Sequence, residues 1–140
     1  MLEFYEYKEL HSEVIMYCQI IENDIKWIYS FMHKGDEYEL RDTLAKKNLG
    51  QMITMLKKLD QSDGNPMISA SDYNFLNQMR EKRNYWCHEN YIEFMYVVGF
   101  FESNEYDKSC RKLIKDHDKL ESVYKNVEQV KLKAKEIYKK

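Results

Sequence analysis

Residues 14–32 read VIMYCQIIENDIKWIYSFM, and apolar side chains recur in this run at every third or fourth position. Val14, Tyr17, Ile21, Ile25 and Ile28 share one stripe of an α-helix, whereas a half-buried strand would alternate at every second position. Neither glycine nor proline interrupts the run. The pattern therefore predicts one long helix over residues 2–33.

Outward from this run, the few turn-forming residues divide the chain. Breaks fall at residues 35–36, 63–66 and 99–104, and every segment between them has helical period. Further helices are predicted over residues 36–60, from Ser69 or Ser71 to Val98, and over 106–138. Ser69 followed by Asp72 fits a capping box, and Gly50 either bends the second helix or allows close approach of another backbone. These four helices predict an all-α, antiparallel four-helix bundle.

The composition is that of one globular domain. The 140 residues are 44% hydrophobic with four glycines and one proline, which excludes a fibrous chain and general disorder. The longest apolar run, Phe94–Phe101, is far shorter than the roughly 20 residues that cross a bilayer. We expect a single domain over residues 1–140 without a membrane partner.

Cysteine usage and the N-terminus favour a cytoplasmic protein. The three cysteines have no CxxC spacing, so we expect neither a disulfide framework nor a zinc site, and no cofactor. The acidic start MLEFYEYKEL lacks the pattern of a secretory signal. The net charge of −2 is uneven, because residues 1–40 carry nine acids and three bases. The rest of the chain therefore carries the positive balance, and a polyanion would have to bind to the later helices.

Two charges fall among apolar positions of the predicted helices. At about 100° per residue, Asp24 lies within the apolar arc of the first helix, and Arg83 lies within that of the third. A lone buried charge is costly, so the pattern predicts that Asp24 and Arg83 meet. Such a pair either fixes the helix register or aims a working arginine at a cleft. Periodicity alone favours the structural interpretation.

Polar residues with catalytic potential surround Arg83. Arg80 and Lys82 precede it, and Asn84, His88 and Tyr91 follow at i, i+4, i+7 spacing on one predicted helix face. Imidazole moves protons near neutral pH, and guanidinium clamps phosphate oxygens. This combination suits phosphodiester cleavage without a metal.

The segment KRNYWCHE, residues 82–89, resembles the R-x4-6-H motif of the HEPN superfamily, with Asn84 at the polar position after the arginine. The resemblance is specific only from Met79 to Tyr91. Many members with this motif are metal-independent endoribonucleases, and they often serve as toxins of toxin–antitoxin, abortive-infection or CRISPR systems. They are typically homodimers with both motifs in one cleft.

The resemblance implies roles for individual residues. Arg83 would bind the scissile phosphate, His88 would transfer protons, Asn84 would support the site, and Asp24 would orient Arg83. The products would carry 2′,3′-cyclic phosphate and 5′-hydroxyl ends. The expected partners are RNA, a second copy of the chain and a cognate antitoxin, such as a nucleotidyltransferase.

One departure from the family pattern stands beside these implications. Members paired with small nucleotidyltransferases often have a tyrosine two residues after the histidine, whereas here Tyr91 follows His88 by three. The alternative functions are a non-catalytic HEPN-like module that binds nucleotides or proteins, and a plain helical interaction protein.

Two further features have mainly structural interpretations. His117 falls on the apolar seam of the fourth predicted helix, where a hydrogen-bonded core histidine is the more frequent case. The segment from Lys131 to Lys140 holds five lysines and one glutamate. We expect it to be solvated, with contact to a phosphate backbone as a minor alternative.

Overall fold

The computed structural model describes residues 1–33, 37–62 and 64–139, and the helices cover most of them. The predicted break at residues 35–36 lies outside the described residues, as do Asp63 and Lys140. In chain order the α-helices are α1 (Phe4–Met32), α2 (Glu37–Leu44), α3 (Leu49–Asp60), α4 (Ala70–His88), α5 (Ile92–Met95) and α6 (Asn104–Ile137), with a short 3₁₀ helix at Phe100–Glu102 before α6. The all-α prediction is confirmed, and the first and last predicted helices match α1 and α6 closely.

The predicted second helix is in fact two helices. The chain leaves helical conformation after Leu44, and α3 begins behind Asn48. Asn48 Oδ1 accepts from the Gln51 backbone N–H (2.8 Å), and Gln51 Oε1 accepts from that of Asn48 (3.0 Å). This reciprocal capping box satisfies two free donors at once, and so it starts a new helix. Gly50 therefore lies in the first turn of α3, not in the middle of a continuous helix.

The predicted third helix starts at the expected place and ends early. Ser69 Oγ accepts from the Asp72 backbone N–H (3.0 Å), which confirms the predicted cap. The helix ends at His88, not near Val98, because the next residues turn inward: Asn90 is buried and donates to the Tyr7 hydroxyl (3.1 Å). Gly99 then adopts a left-handed conformation (φ 66°), which glycine tolerates best.

Helix direction departs from the predicted antiparallel arrangement. Tyr7 bonds Ser109 and Asp24 bonds Lys131, so α1 and α6, which form the most extensive helix pair, run parallel. By contrast, α4 is antiparallel to α6, because Asp72 near its start bonds Asn126 and Trp86 near its end bonds the earlier residue Asp116. Since α1 and α6 are parallel, α4 is antiparallel to α1 as well. In a four-helix bundle whose helices alternate in direction, the first and last helices are antiparallel, so the predicted direction of the last helix relative to the first is wrong.

Buried side chains of α1, α3, α4 and α6 form one core, which includes Ile21, Ile25, Leu56 and Trp86. A second part of the core is aromatic, where Phe94 packs against Tyr7 and Tyr106 at ring centroid distances of 5.2 and 5.1 Å. Burial of these large side chains is the main stabilising contribution.

None of the helices in the described ranges is both long enough and apolar enough to cross a lipid bilayer.

Candidate functional site

Arg83 lies on α4 and pairs with Glu22 of α1, not with Asp24. Its Nη1 donates to Glu22 Oε2 over 2.6 Å, and the two side chains are 28% and 23% exposed. The predicted Asp24–Arg83 pair is therefore wrong. Glu22 and Asp24 are about 200° apart around an ideal helix, so only one of them can face α4 at this level.

Asp24 is buried as predicted, but its partner is Lys131 of α6. Lys131 Nζ donates to Asp24 Oδ1 (3.0 Å), while Asp24 Oδ2 has no hydrogen-bond partner in the described part of the chain. The structure thus replaces one expected ion pair with two, one on each side of α1. Asp24 is not positioned to orient Arg83.

Asn84 and His88 lie on the exposed face of α4. His88 is the last residue of that helix, so its imidazole lies at the helix end, in solvent. Arg83 and His88 are five positions apart and diverge by about 140° on an ideal helix. Within one chain, the Arg83 guanidinium and the His88 imidazole are therefore both accessible to solvent but do not converge on one point.

Tyr91 does not share that face, because α4 has ended before it. Its hydroxyl forms a hydrogen bond with His11 Nδ1 (3.2 Å), while His11 Nε2–H donates to the Trp86 carbonyl oxygen (2.6 Å). Burial raises the pKa of Tyr91. His11 thus ties the turn after α4 to α1. The sequence pattern gave no sign of this, since His11 lies at the margin of the apolar stripe.

Lys82 and Trp86 attach α4 to α6 through a single carboxylate. Asp116 Oδ1 accepts from Lys82 Nζ (3.0 Å), and its Oδ2 accepts from Trp86 Nε1 (2.9 Å). Asp116 is almost fully buried, so both oxygens require these partners. One turn before Asp116 on α6, the Lys112 ammonium lies 3.4 Å from the centre of the Tyr85 ring. These contacts fix the rotation of α4 about its axis, and therefore the direction of Arg83 and Asn84.

Arg80 lies one turn before Arg83, at a surface groove. The groove has a volume of about 510 Å³, and its lining includes Arg80, Lys47, Asn48 and Gln51. Arg80 is exposed. Arg80 and Lys47 place two cations at this groove, whereas Arg83, one turn later on α4, is paired with Glu22.

Within the described ranges, no group of three or more His, Cys, Asp or Glu is placed to hold a metal ion. His117 is buried and contacts Glu13 and Asp118, in agreement with the core position predicted for it. Burial opposes protonation of this imidazole, but the hydrogen bonds to Glu13 and Asp118 outweigh it and raise the pKa of His117.

Comparisons of the chain with family models, with curated proteins and with solved structures each found no match.

Proposed function

We propose that this protein is a metal-independent endoribonuclease of HEPN type in which Arg83 and His88 act at a cleft between two copies. The observation that carries the proposal is the accessibility of both groups on α4: Arg83 is partly exposed and His88 is exposed. If the residues of the motif were buried in the core, they could not contact a substrate. The proposed fold is an HEPN-like bundle. The motif lies in the last turns of α4, the helix that packs against both α1 and α6.

The ion pair with Glu22 leaves Arg83 able to bind phosphate. The bond to Glu22 uses Nη1, and a guanidinium carries five N–H donors. Glu22 would hold the arginine side chain in place while other donors reach a phosphate oxygen. Arg80 and Lys47 at the neighbouring groove would contact flanking phosphates.

Two copies account for the divergence of Arg83 and His88. With α4 facing its own symmetry mate, Arg83 of one protomer and His88 of the other can approach the same linkage. His88 accepts the proton of the 2′-hydroxyl as the new O2′–P bond forms. The same imidazole, now protonated, donates that proton to the 5′-oxygen as the P–O5′ bond breaks. Arg83 neutralises the charge that develops on the phosphorus oxygens.

The decisive test is digestion of RNA by the purified chain in excess chelator. We expect products with 2′,3′-cyclic phosphate ends, and we expect Arg83→Ala and His88→Ala each to abolish cleavage. Arg111→Ala is the matched control, since Arg111 also pairs with a carboxylate, that of Asp107, but lies elsewhere on the surface. Cleavage that persists in both active-site variants would disprove the proposal.

Mixing the two inactive variants tests the shared cleft. In a 1:1 mixture, half of the dimers contain one chain of each kind, and one of their two sites combines an intact Arg83 with an intact His88. About a quarter of wild-type activity should therefore return. If the mixture stays inactive while each variant alone is dimeric, the two residues do not act across the interface.

A non-catalytic binding module is the second candidate, and the Arg83–Glu22 pair favours it. A guanidinium already matched by a carboxylate is less suited to stabilise new negative charge than a free one. Retention of RNA or nucleotide that depends on Arg83, without cleavage, would identify this alternative.

A further inference from the structure

A second candidate site lies on the opposite side of α1 from Arg83. The ends of α1 and α6 and the start of α2 enclose a cavity of about 590 Å³, which is within the range of small-molecule sites. Phe31 lies in its wall and is nine positions beyond Glu22, or half a turn around the helix axis. Neither Arg83 nor His88 is among the residues that line it.

Aromatic rings form one wall of this cavity. Trp27 and Phe31 are stacked, with centroids 5.6 Å apart and planes inclined by 26°, and Tyr38 meets Trp27 edge-on at 5.7 Å. The Arg41 guanidinium lies over the Trp27 ring, 5.0 Å from its centre. Trp27 and Phe31 are only partly buried, and Tyr38 is 70% exposed. This wall offers flat apolar surface at the protein boundary.

Lysines of α6 and the residues after it form the facing wall. Among the described residues, Lys131, Lys135 and Lys139 line the cavity together with one acid, Glu136. Lys131 is partly neutralised, because it donates to the buried Asp24 behind the wall. Lys135 and Lys139 are exposed. Of the described residues that line the cavity, three are cations and one is an acid, and Asp24 is paired with one of the three, so their combined field favours an anion.

We propose that this cavity binds a nucleoside phosphate. The planar base would stack on the aromatic wall, and the phosphate would lie against Lys135 and Lys139. Base–aromatic stacking and phosphate–lysine contacts are the two interactions by which proteins hold nucleotides without reading a sequence. A simple anion would contact the lysines but not the rings, and an apolar ligand would contact the rings but not the lysines. A nucleoside phosphate contacts both walls.

The nucleotide is either free or part of an RNA strand, since both present the same base and phosphate. The proposal does not depend on the ribonuclease activity, because the two sites share no residue.

Tryptophan fluorescence of the whole chain provides the test. The protein has two tryptophans, and Trp86 is fully buried, so a stacked base should quench Trp27 selectively. We expect AMP to quench and to bind at least about tenfold more tightly than adenosine or inorganic phosphate, each of which engages one wall. Trp27→Phe should remove the quenching and leave the Trp86 emission. A short oligoadenylate identifies the source: tighter binding than AMP indicates a strand, and weaker binding indicates a free nucleotide.

Variants locate the ligand. Lys135→Ala combined with Lys139→Ala should weaken AMP binding about tenfold, as should Phe31→Leu, while the melting temperature shows that each variant is folded. Lys133→Ala is the matched control, since Lys133 lies on the same helix, is exposed and does not line the cavity. The proposal is wrong if inorganic phosphate binds as tightly as AMP, if Lys133→Ala weakens binding equally, or if AMP does not bind. Binding lost in Arg83→Ala but retained in the lysine variants would place the nucleotide at the α4 site instead.

Discussion

Lys131 is the hydrogen-bond partner of Asp24, across the parallel pair formed by α1 and α6. Lys131 Nζ lies 3.0 Å from Asp24 Oδ1, and Asp24 is 2% exposed. Lys131→Met should destabilise the fold by about 1–3 kcal/mol, because it leaves a buried carboxylate without its partner. Chemical denaturation measures the loss.

Two further variants separate pairing from simple loss of a lysine. Lys133→Met, at an exposed position of the same helix, should change the free energy of unfolding by less than about 0.5 kcal/mol. Adding Asp24→Asn to Lys131→Met should restore part of the stability, since the buried charge is then gone. If Lys131→Met and Lys133→Met are equally mild, the pair is not a stabilising contact.

The Glu22–Arg83 pair should contribute little to stability. Both side chains are about a quarter exposed, and ion pairs at such sites typically contribute about 0–1 kcal/mol. A double-mutant cycle with Glu22→Ala and Arg83→Ala should give a coupling energy within that range. A coupling of several kcal/mol would mean that the pair is a structural element, which would weaken the case for Arg83 as a functional group.

His117 should make stability depend on pH. Its pKa is raised in the folded state, since the hydrogen bonds to Glu13 and Asp118 outweigh the effect of burial. The favourable contribution is therefore complete below the unfolded pKa of about 6.5 and is lost as the pH rises through the folded pKa. The melting temperature of the wild type should fall more between pH 6 and pH 8.5 than that of His117→Gln. His88→Gln, at an exposed site, should behave like the wild type.

Asp60 should be a critical residue of the turn between α3 and α4. Its buried carboxylate accepts from the backbone N–H groups of Met67 (2.8 Å) and Ile68 (3.1 Å) and from the Tyr73 hydroxyl (2.7 Å). Burial and the hydrogen bond to Asp60 raise the pKa of Tyr73. Asp60→Asn should lower the free energy of unfolding by about 1–3 kcal/mol. The aspartate accepts these three bonds through two oxygens, whereas the asparagine amide has only one oxygen to accept them. Asp42→Asn, on the exposed surface of α2, is the control, and near-equal unfolding curves would contradict the assignment.

The three cysteines should differ in reactivity towards iodoacetamide. Cys87 is exposed, whereas Cys18 and Cys110 are buried, and burial raises the pKa of Cys18 to about 12. Since the thiolate is the reacting form, the native protein should incorporate one label, at Cys87. Mass spectrometry of Cys87→Ser should show none until denaturant is added. Rapid labelling of Cys18 in the native state would show that α1 opens readily.

Several local features were predictable because they depend on neighbouring residues. The helix start at Ser69 follows from its spacing to Asp72, and the buried position of Asp24 follows from the apolar stripe around it. The Asn48–Gln51 capping box was visible by the same rule, and applying it would have divided the second predicted helix correctly. The early end of α4 had no such local signal, since it depends on burial of Asn90 against Tyr7.

The sequence by itself determined that the chain is helical, where α1, α4 and α6 begin to within two residues, and that Asp24 lies on the buried face of α1, because periodicity and capping are properties of short segments. It placed Arg83 within an apolar arc too, whereas that side chain is partly exposed. Only the tertiary structure decided that Glu22 meets Arg83, that Lys131 meets Asp24 and that α1 and α6 run parallel. A helical projection gives the angle of a side chain around its own axis. It does not give the rotation, direction and axial level of the neighbouring helix, and these set which charges come within hydrogen-bond distance.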